Sequence, residues 1–141
     1  MDARKVTDEL SVAPQISIAD VAAAKAAGFR SILCNRPDGE SSDQPSFSAI
    51  EAAAKTAGLV VRYQPVRMVG AADAKVFAAA CRELPKPILA YCRSGTRCAT
   101  LWTISEAGAR TVADLVTRTK AAGYDMSAIA AQAAAAAEAK G

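Results

Sequence analysis

The apolar run Pro87-Ile88-Leu89-Ala90-Tyr91 leads directly into Cys92-Arg93-Ser94-Gly95-Thr96-Arg97, and then into helix-forming sequence. A buried strand that ends in so tight a loop and turns at once into a helix leaves few folds open. The loop must gather its backbone N–H groups around one point at the helix start, where the positive end of the helix dipole adds to them. An anion sits well there. A thiol there ionises easily, because a helix N-terminus and a nearby guanidinium bring a cysteine pKa from about 8.5 down to roughly 3.5–7.5. Gly95 lets the chain turn where a Cβ would clash, and Arg97 offers a planar fork of donors suited to an oxyanion. Cys92 therefore reads as a nucleophile and Arg97 as its catalytic partner, with Arg93, Ser94, Gly95, Thr96 and Cys98 forming the rest of an anion-binding loop. A cysteine alone at a strand end is ordinarily a small buried hydrophobe. Here the cysteine at the loop mouth, the central glycine and the closing arginine point together to function.

The chain has no histidine, which excludes Ser-His-Asp and Cys-His catalysis and every His-bearing metal site. Its four cysteines, Cys34, Cys81, Cys92 and Cys98, contain no CxxC pair. No metal or other cofactor is implied, and activation of Cys92 falls to backbone amides and Arg97. The net charge of +3 is mild and scattered, so no nucleic-acid surface is expected. No apolar run approaches the ~20 residues of a membrane helix. The first residues lack an apolar signal region, so a cytoplasmic location with reduced thiols is expected. Hydrophobic content of 52% is inflated by alanine, with aromatics at only 5%. A single domain over residues 1–141 is expected, its core made of close-packed small residues around Phe29, Phe47, Phe77, Leu101 and Trp102.

Residues 8–13 read as a short strand. Ser17 to Asp20 forms a capping box opening a helix to about Ala27. Residues 29–35 read as a buried strand, and 36–45 as a polar turn-rich loop. Ser48 to Glu51 looks like a second capping box, for a helix ending at Gly58, followed by a strand from Leu59 to about Val66. A helix over about 72–83 precedes strand 87–91, and only helices follow: 97–107, 111–122 and 126–139. The fold class is α/β, with a mainly parallel central sheet flanked by helices. Ligands in such sheets bind at the carboxyl ends of the strands, where the cysteine loop sits. The alanine-rich helix 126–139 is expected to pack on its own domain.

This order resembles the dual-specificity protein phosphatases, whose thiolate loop follows the last central strand and is trailed by helices only. More narrowly, Ser11-Val12-Ala13-Pro14-Gln15, Asn35-Arg36-Pro37-Asp38-Gly39-Glu40 and Cys92-Arg93-Ser94-Gly95-Thr96-Arg97 resemble the phosphatase-like domain of the bacterial beta-lactamase-hydrolase-like family, over about residues 4–122. The resemblance implies a protein-phosphatase-like fold. The loop carrying Arg36, Asp38 and Glu40 lies at the end of another parallel strand, so it is expected to border the same crevice. Arg36 is expected to add to the anion field or anchor the loop, and Asp38 or Glu40 to pair with Arg93 or Arg97.

The chain departs from the phosphatase pattern twice. Only four residues separate Cys92 from Arg97, where the phosphatase loop has five. A six-residue loop, and the wording Cys-Arg-Ser-Gly-x-Arg, are those of rhodanese sulfurtransferases. Met68 stands where the phosphatase general acid belongs. Asp73 is the nearest candidate acid, and its alternative role is at the start of a helix. Cys98 occupies a position often held by Ser or Thr, where it either packs or resolves an oxidised Cys92.

Three functions follow. Sulfur transfer through a Cys92 persulfide, from thiosulfate or a persulfide, needs no general acid and is the leading expectation. Hydrolysis of phosphate monoesters through a thiophosphoryl-Cys92 intermediate is the alternative, with Asp73 or an acid of the 36–43 loop protonating the leaving group. A non-catalytic anion-binding or redox-sensing module is the third. In each case the partner is a small anionic molecule; oligomeric state is not legible.

Overall fold

A computed structural model describes residues 1–140. Serine hydroxyls start the first helices by taking up N–H groups that have no partner inside the helix. Helix α1 spans Ile18–Ala26, where Ser17 Oγ accepts from Asp20 N at 3.1 Å and Asp20 Oδ2 accepts from Ser17 N at 2.9 Å. Helix α2 spans Phe47–Ala57 and closes on Gly58 in the left-handed region. Its N-cap is Ser46, which accepts from Ala49 N at 3.2 Å. The expected Ser48–Glu51 box does not form, because Phe47 already lies inside the helix and Ser48 follows it. Helices α3 (Ala71–Glu83), α4 (Thr96–Glu106), α5 (Val112–Ala121) and α6 (Ser127–Lys140) complete the set.

The strands are β1 (Arg4–Thr7), β2 (Leu10–Ala13), β3 (Ser31–Cys34), β4 (Val60–Tyr63) and β5 (Ile88–Tyr91), in the order β1-β2-β5-β3-β4. Strands β2, β5, β3 and β4 are mutually parallel. Strand β1 pairs antiparallel with β2, so the expected strand over 8–13 is the second arm of a hairpin whose turn contains Asp8 and Glu9. The other expected strand ends shorten similarly, β4 stopping at Tyr63 rather than Val66.

Alternation along the strands builds two cores. Ile88, Ala90 and Cys92 face α3–α6 with Phe77, Leu101, Trp102, Leu115 and Met126. Leu89 and Tyr91 face α1 and α2 with Val21, Ala24, Ile50 and Ala54. Phe77, Leu101 and Trp102 are buried anchors as expected. Phe29 and Phe47 are only half-buried, at the edge of the second core. Helix α6 packs on α4 and α5, with Ala130 buried. No helix among the described residues is long and apolar enough to cross a membrane.

Register positions the functional edge. Ala13, Tyr91, Cys34 and Tyr63 align across the parallel strands, so the loops after all four emerge side by side. The capping assignment is checked by chemical denaturation. Ser46→Ala is expected to lower stability by about 1 kcal/mol, whereas Ser48→Ala is expected to stay within about 0.5 kcal/mol of the parent.

Candidate active site

Cys92 follows β5 directly and is 1% exposed. Gly95, with φ +90, is the N-cap of α4, and its N–H donates to Cys92 Sγ at 3.1 Å. Any side chain at this position would be strained by the left-handed backbone and would also overlap the hydroxyl of Tyr124. The Cys92 thiol is lowered from 9.0 to about 6. The largest cause is a hydrogen bond from the Cys98 thiol, opposed by burial and reinforced by the backbone N–H groups of Cys98, Arg97 and Gly95.

Cys98 itself is fully buried, and its Sγ also donates to Asn35 Oδ1 at 3.3 Å. One S–H proton serves one acceptor at a time, and an ionised Cys92 is the stronger of the two. Burial holds Cys98 well above its ordinary range, so it stays a donor. Asn35, 1% exposed, is fixed in turn by Nδ2 donating to Gln64 O at 3.0 Å.

Arg97 does not stand free in the loop. Its Nη1 and Nη2 donate to Glu40 Oε2 and Oε1 at 3.0 and 2.7 Å, a bidentate pair, and Nη1 also donates to Val66 O at 2.8 Å. Glu40 Oε1 is shared with Arg36 Nε at 3.0 Å. Arg36, 4% exposed, reaches onward to Gln15 Oε1 at 3.0 Å and Ser41 Oγ at 3.4 Å. Gln15 N donates to Arg93 O at 3.2 Å. Arg36 is thus a loop anchor, and two guanidinium groups around one carboxylate leave a net positive charge beside the thiol. Arg97 first and then Arg36 hold the Glu40 carboxyl below its ordinary 4.5.

The remaining candidates sort clearly. Arg93 is exposed at the loop, and its side chain has no hydrogen-bond partner among the described residues. Ser94 Oγ donates to Thr96 Oγ1 at 2.9 Å and accepts from Thr96 N at 3.4 Å, bracing the loop. Asp38 pairs with neither arginine. Its Oδ1 accepts from Phe47 N at 2.8 Å, so it secures the start of α2. Asp73 Oδ2 accepts from Gly70 N at 2.9 Å, closing the first turn of α3. Met68, at the expected acid position, is 87% exposed and carries no proton to donate. All four cysteines are free thiols, and the described residues contain no group of three or more His, Cys, Asp or Glu side chains arranged to hold a metal ion.

Sequence reasoning gave no role to Asn35, Gln15 or Tyr124. The first two follow the ends of β3 and β2, the positions where crevice residues are found. Tyr124 carries no local signal, as it reaches the loop only through the packing of α5 and α6.

The family model described as the phosphatase-like domain of beta-lactamase hydrolase-like protein matches residues 2–109. A beta-lactamase hydrolase-like protein of Agrobacterium fabrum is 37% identical over 109 residues, covering 76% of this chain and 25% of that protein. The chain thus spans only about a quarter of this curated relative. A candidate phosphatase from Neisseria meningitidis has a structure matching with TM-score 0.86 at 32% identity, over 96% of this chain and 99% of its own. The core catalytic domain of the PP-IP phosphatase SIW14 from S. cerevisiae, in complex with citrate, matches in fold with TM-score 0.64 at 13% identity, over 96% and 93% of the two chains.

Two measurements check the site. Alkylation of Cys92 by iodoacetamide is expected to rise with pH to a plateau with its midpoint near pH 6, since only the thiolate reacts. Cys34 and Cys81, pushed up by burial to about 11 and about 12, are expected to stay unmodified there. Glu40→Gln is expected to cost about 2 kcal/mol or more at pH 7, because it leaves two partly buried guanidinium groups without their counter-charge. The folded-state pKa of Glu40 lies below its ordinary value. Its contribution is therefore fully present above that ordinary value and is lost as pH falls through the lower folded one. The deficit of Glu40→Gln shrinks correspondingly in acid.

Proposed function

Because this chain belongs to the phosphatase-like domain family of beta-lactamase hydrolase-like proteins, we propose that it is a cysteine-dependent phosphatase-type enzyme acting on small phosphate esters or anhydrides. The observation that carries this reading is the Cys92 thiol, lowered to about 6 beneath the Gly95 N–H at the start of α4. Cys92 Sγ attacks phosphorus, an Sγ–P bond forms, and the bond to the leaving oxygen breaks. Water then cleaves the Sγ–P bond, releasing phosphate and restoring the thiolate. The loop N–H groups, the α4 dipole and Arg97 meet the charge on the phosphoryl oxygens. Meeting them with Arg97 requires its fork to turn part-way from Glu40, which stays ionised and orients it.

The site also suggests which leaving groups are handled. Met68 has no acid function, Asp73 is engaged at α3, and Glu40 is held ionised by two arginines. Substrates whose leaving group departs as a stable anion, such as aryl phosphates and phosphoanhydrides, therefore suit this site better than alkyl esters, which need a proton. The phosphatase reading displaces sulfur transfer as the leading one, because family and neighbours support it.

Sulfur transfer stays as a second reading on one specific observation. The loop places four residues between Cys92 and Arg97, and Cys92 is 1% exposed. A single outer sulfur atom enters so small a ring more easily than a phosphoryl group with three oxygens. In that reaction Sγ attacks the outer sulfur of thiosulfate, a Sγ–S bond forms, and sulfite leaves with the electron pair of the broken S–S bond.

The two are separated by assaying phosphate release from an aryl phosphate alongside the intact mass after brief exposure to thiosulfate. Phosphate release that Cys92→Ser abolishes, without a sulfur adduct, supports the phosphatase reading. A Cys92-dependent gain of one sulfur atom without phosphate release replaces it by sulfur transfer.

A further inference from the structure

Beyond residue 109, where the family match ends, one side chain reaches back to the nucleophile loop. Tyr124 lies in the turn between α5 and α6 and is 7% exposed. Its hydroxyl donates to the carbonyl oxygen of Ser94 at 2.8 Å. That carbonyl belongs to the same peptide unit as the Gly95 N–H, which donates to Cys92 Sγ at 3.1 Å. The tyrosine O–H, the Ser94–Gly95 peptide and the thiolate thus form one continuous chain of hydrogen bonds, in which each polarises the next.

The Ser94–Gly95 peptide needs such a hold. Gly95 has φ +90 and no Cβ, so the peptide preceding it has unusual freedom to rotate. A reversal would turn the Ser94 carbonyl oxygen toward Cys92 and replace a donor with a negative dipole end. The Tyr124 ring closes over the other side of Gly95, with its Cζ 2.9 Å from where a Cβ would stand. The ring is itself fixed from β1. The Arg4 guanidinium lies 5.2 Å from its centroid, and Arg4 Nη1 donates to Ala122 O at 3.4 Å. A cation over the ring face draws electron density from the hydroxyl and makes it a better donor. Burial keeps that hydroxyl protonated through the neutral range.

We propose that Tyr124 is a positioning residue for Cys92, holding the Ser94–Gly95 peptide with its N–H aimed at the thiolate, so that the segment joining α5 and α6 completes the nucleophile loop. The proposal rests on the reading of Cys92 as the nucleophile, but not on which anion it attacks. Other charged or titratable groups around Cys92 are Arg97 and Cys98 of α4, Cys34 at the end of β3, Arg93 of the loop itself, and Glu40 with Arg36 after β3. None of them is changed by removing the tyrosine hydroxyl.

Tyr124→Phe keeps the ring, its packing and the Arg4 guanidinium over its face, and deletes the hydroxyl that donates to Ser94 O. The experiment measures the rate of Cys92 alkylation by iodoacetamide against pH, with the modified residue identified by peptide mass and Cys92→Ser as the blank. The midpoint is expected to move up by about half a pH unit or more, so that alkylation below the parent midpoint slows about threefold. A thermal melt of the same sample confirms that the variant is folded over the range measured. A profile that superimposes on the parent's overturns the proposal, whether or not the melting temperature falls, because the hydroxyl then supports only the fold. Alkylation uses no substrate, so this outcome is independent of whether the enzyme turns over phosphate or sulfur. A parent whose Cys92 shows no ionisation near pH 6 refutes the nucleophile reading itself, and the proposal with it.

Discussion

One carboxylate, that of Glu40, sits between two guanidinium groups, and the arrangement of the functional edge depends on it. Through Arg97 it holds the start of α4 and, by the shared contact to Val66 O, the loop after β4. Through Arg36 it reaches Gln15 and so the loop after β2. Four connections that emerge side by side because the parallel strands are in register are thereby tied into one unit. A partly buried carboxylate with a bidentate arginine keeps its hydrogen bonds satisfied, which is the condition under which such a charge is tolerated away from water. The surplus of one positive charge is then available to the thiolate.

Cys92 illustrates how opposing effects are decided by number and distance. Burial alone raises a thiol, as it does at Cys34 and Cys81, to about 11 and about 12. At Cys92 the same burial is overcome, because Cys98 S–H and three backbone N–H groups face the sulfur and the pKa falls to about 6. These donors belong to a helix start and a glycine turn. The backbone N–H groups are fixed by the fold and need no reorganisation to face a charge on the sulfur. The cysteine at position 98 provides a weaker donor than a hydroxyl would, yet one kept protonated by complete burial.

The chain uses a phosphatase-like fold with a loop one residue shorter than that pattern and without an acid at the expected place. Fold and reaction are separable for this reason: the sheet delivers a thiol to a ring of amides, and under the proposed function ring size and proton supply would select the anion. The likeness to the solved structure of a candidate phosphatase extends over 96% of the chain, including the helices after residue 109. In this molecule those helices are not a mere appendage, since Tyr124 between α5 and α6 meets the loop at Ser94 and Gly95.

Local chemistry was legible in the sequence wherever one segment carries it alone. The strand-to-helix loop at Cys92, the Ser17–Asp20 box, the glycine at the end of α2 and the alternation of strands with helices all depend on neighbours within a few residues, and they stand where the residues indicate. Errors arose where two local solutions compete. Ser46 and Ser48 are both capable caps, and packing of Phe47 against Tyr63 favours the first. Strand β1 has too few apolar residues to announce itself and exists because β2 offers an edge. The sequence offered Asp38 or Glu40 as partners of Arg93 or Arg97, and tertiary structure selected among them and alone brought in Tyr124. Glu40 rather than Asp38 meets Arg97, fifty-seven residues apart in sequence, and Tyr124 meets Ser94 across thirty. Sequence spacing carries no information about such distances, because they are set by how parallel strands align and how helices pack on the sheet. The residues of the chain thus determined that a thiol would stand at a helix start; only the folded sheet decided which charges and which hydroxyl would stand around it.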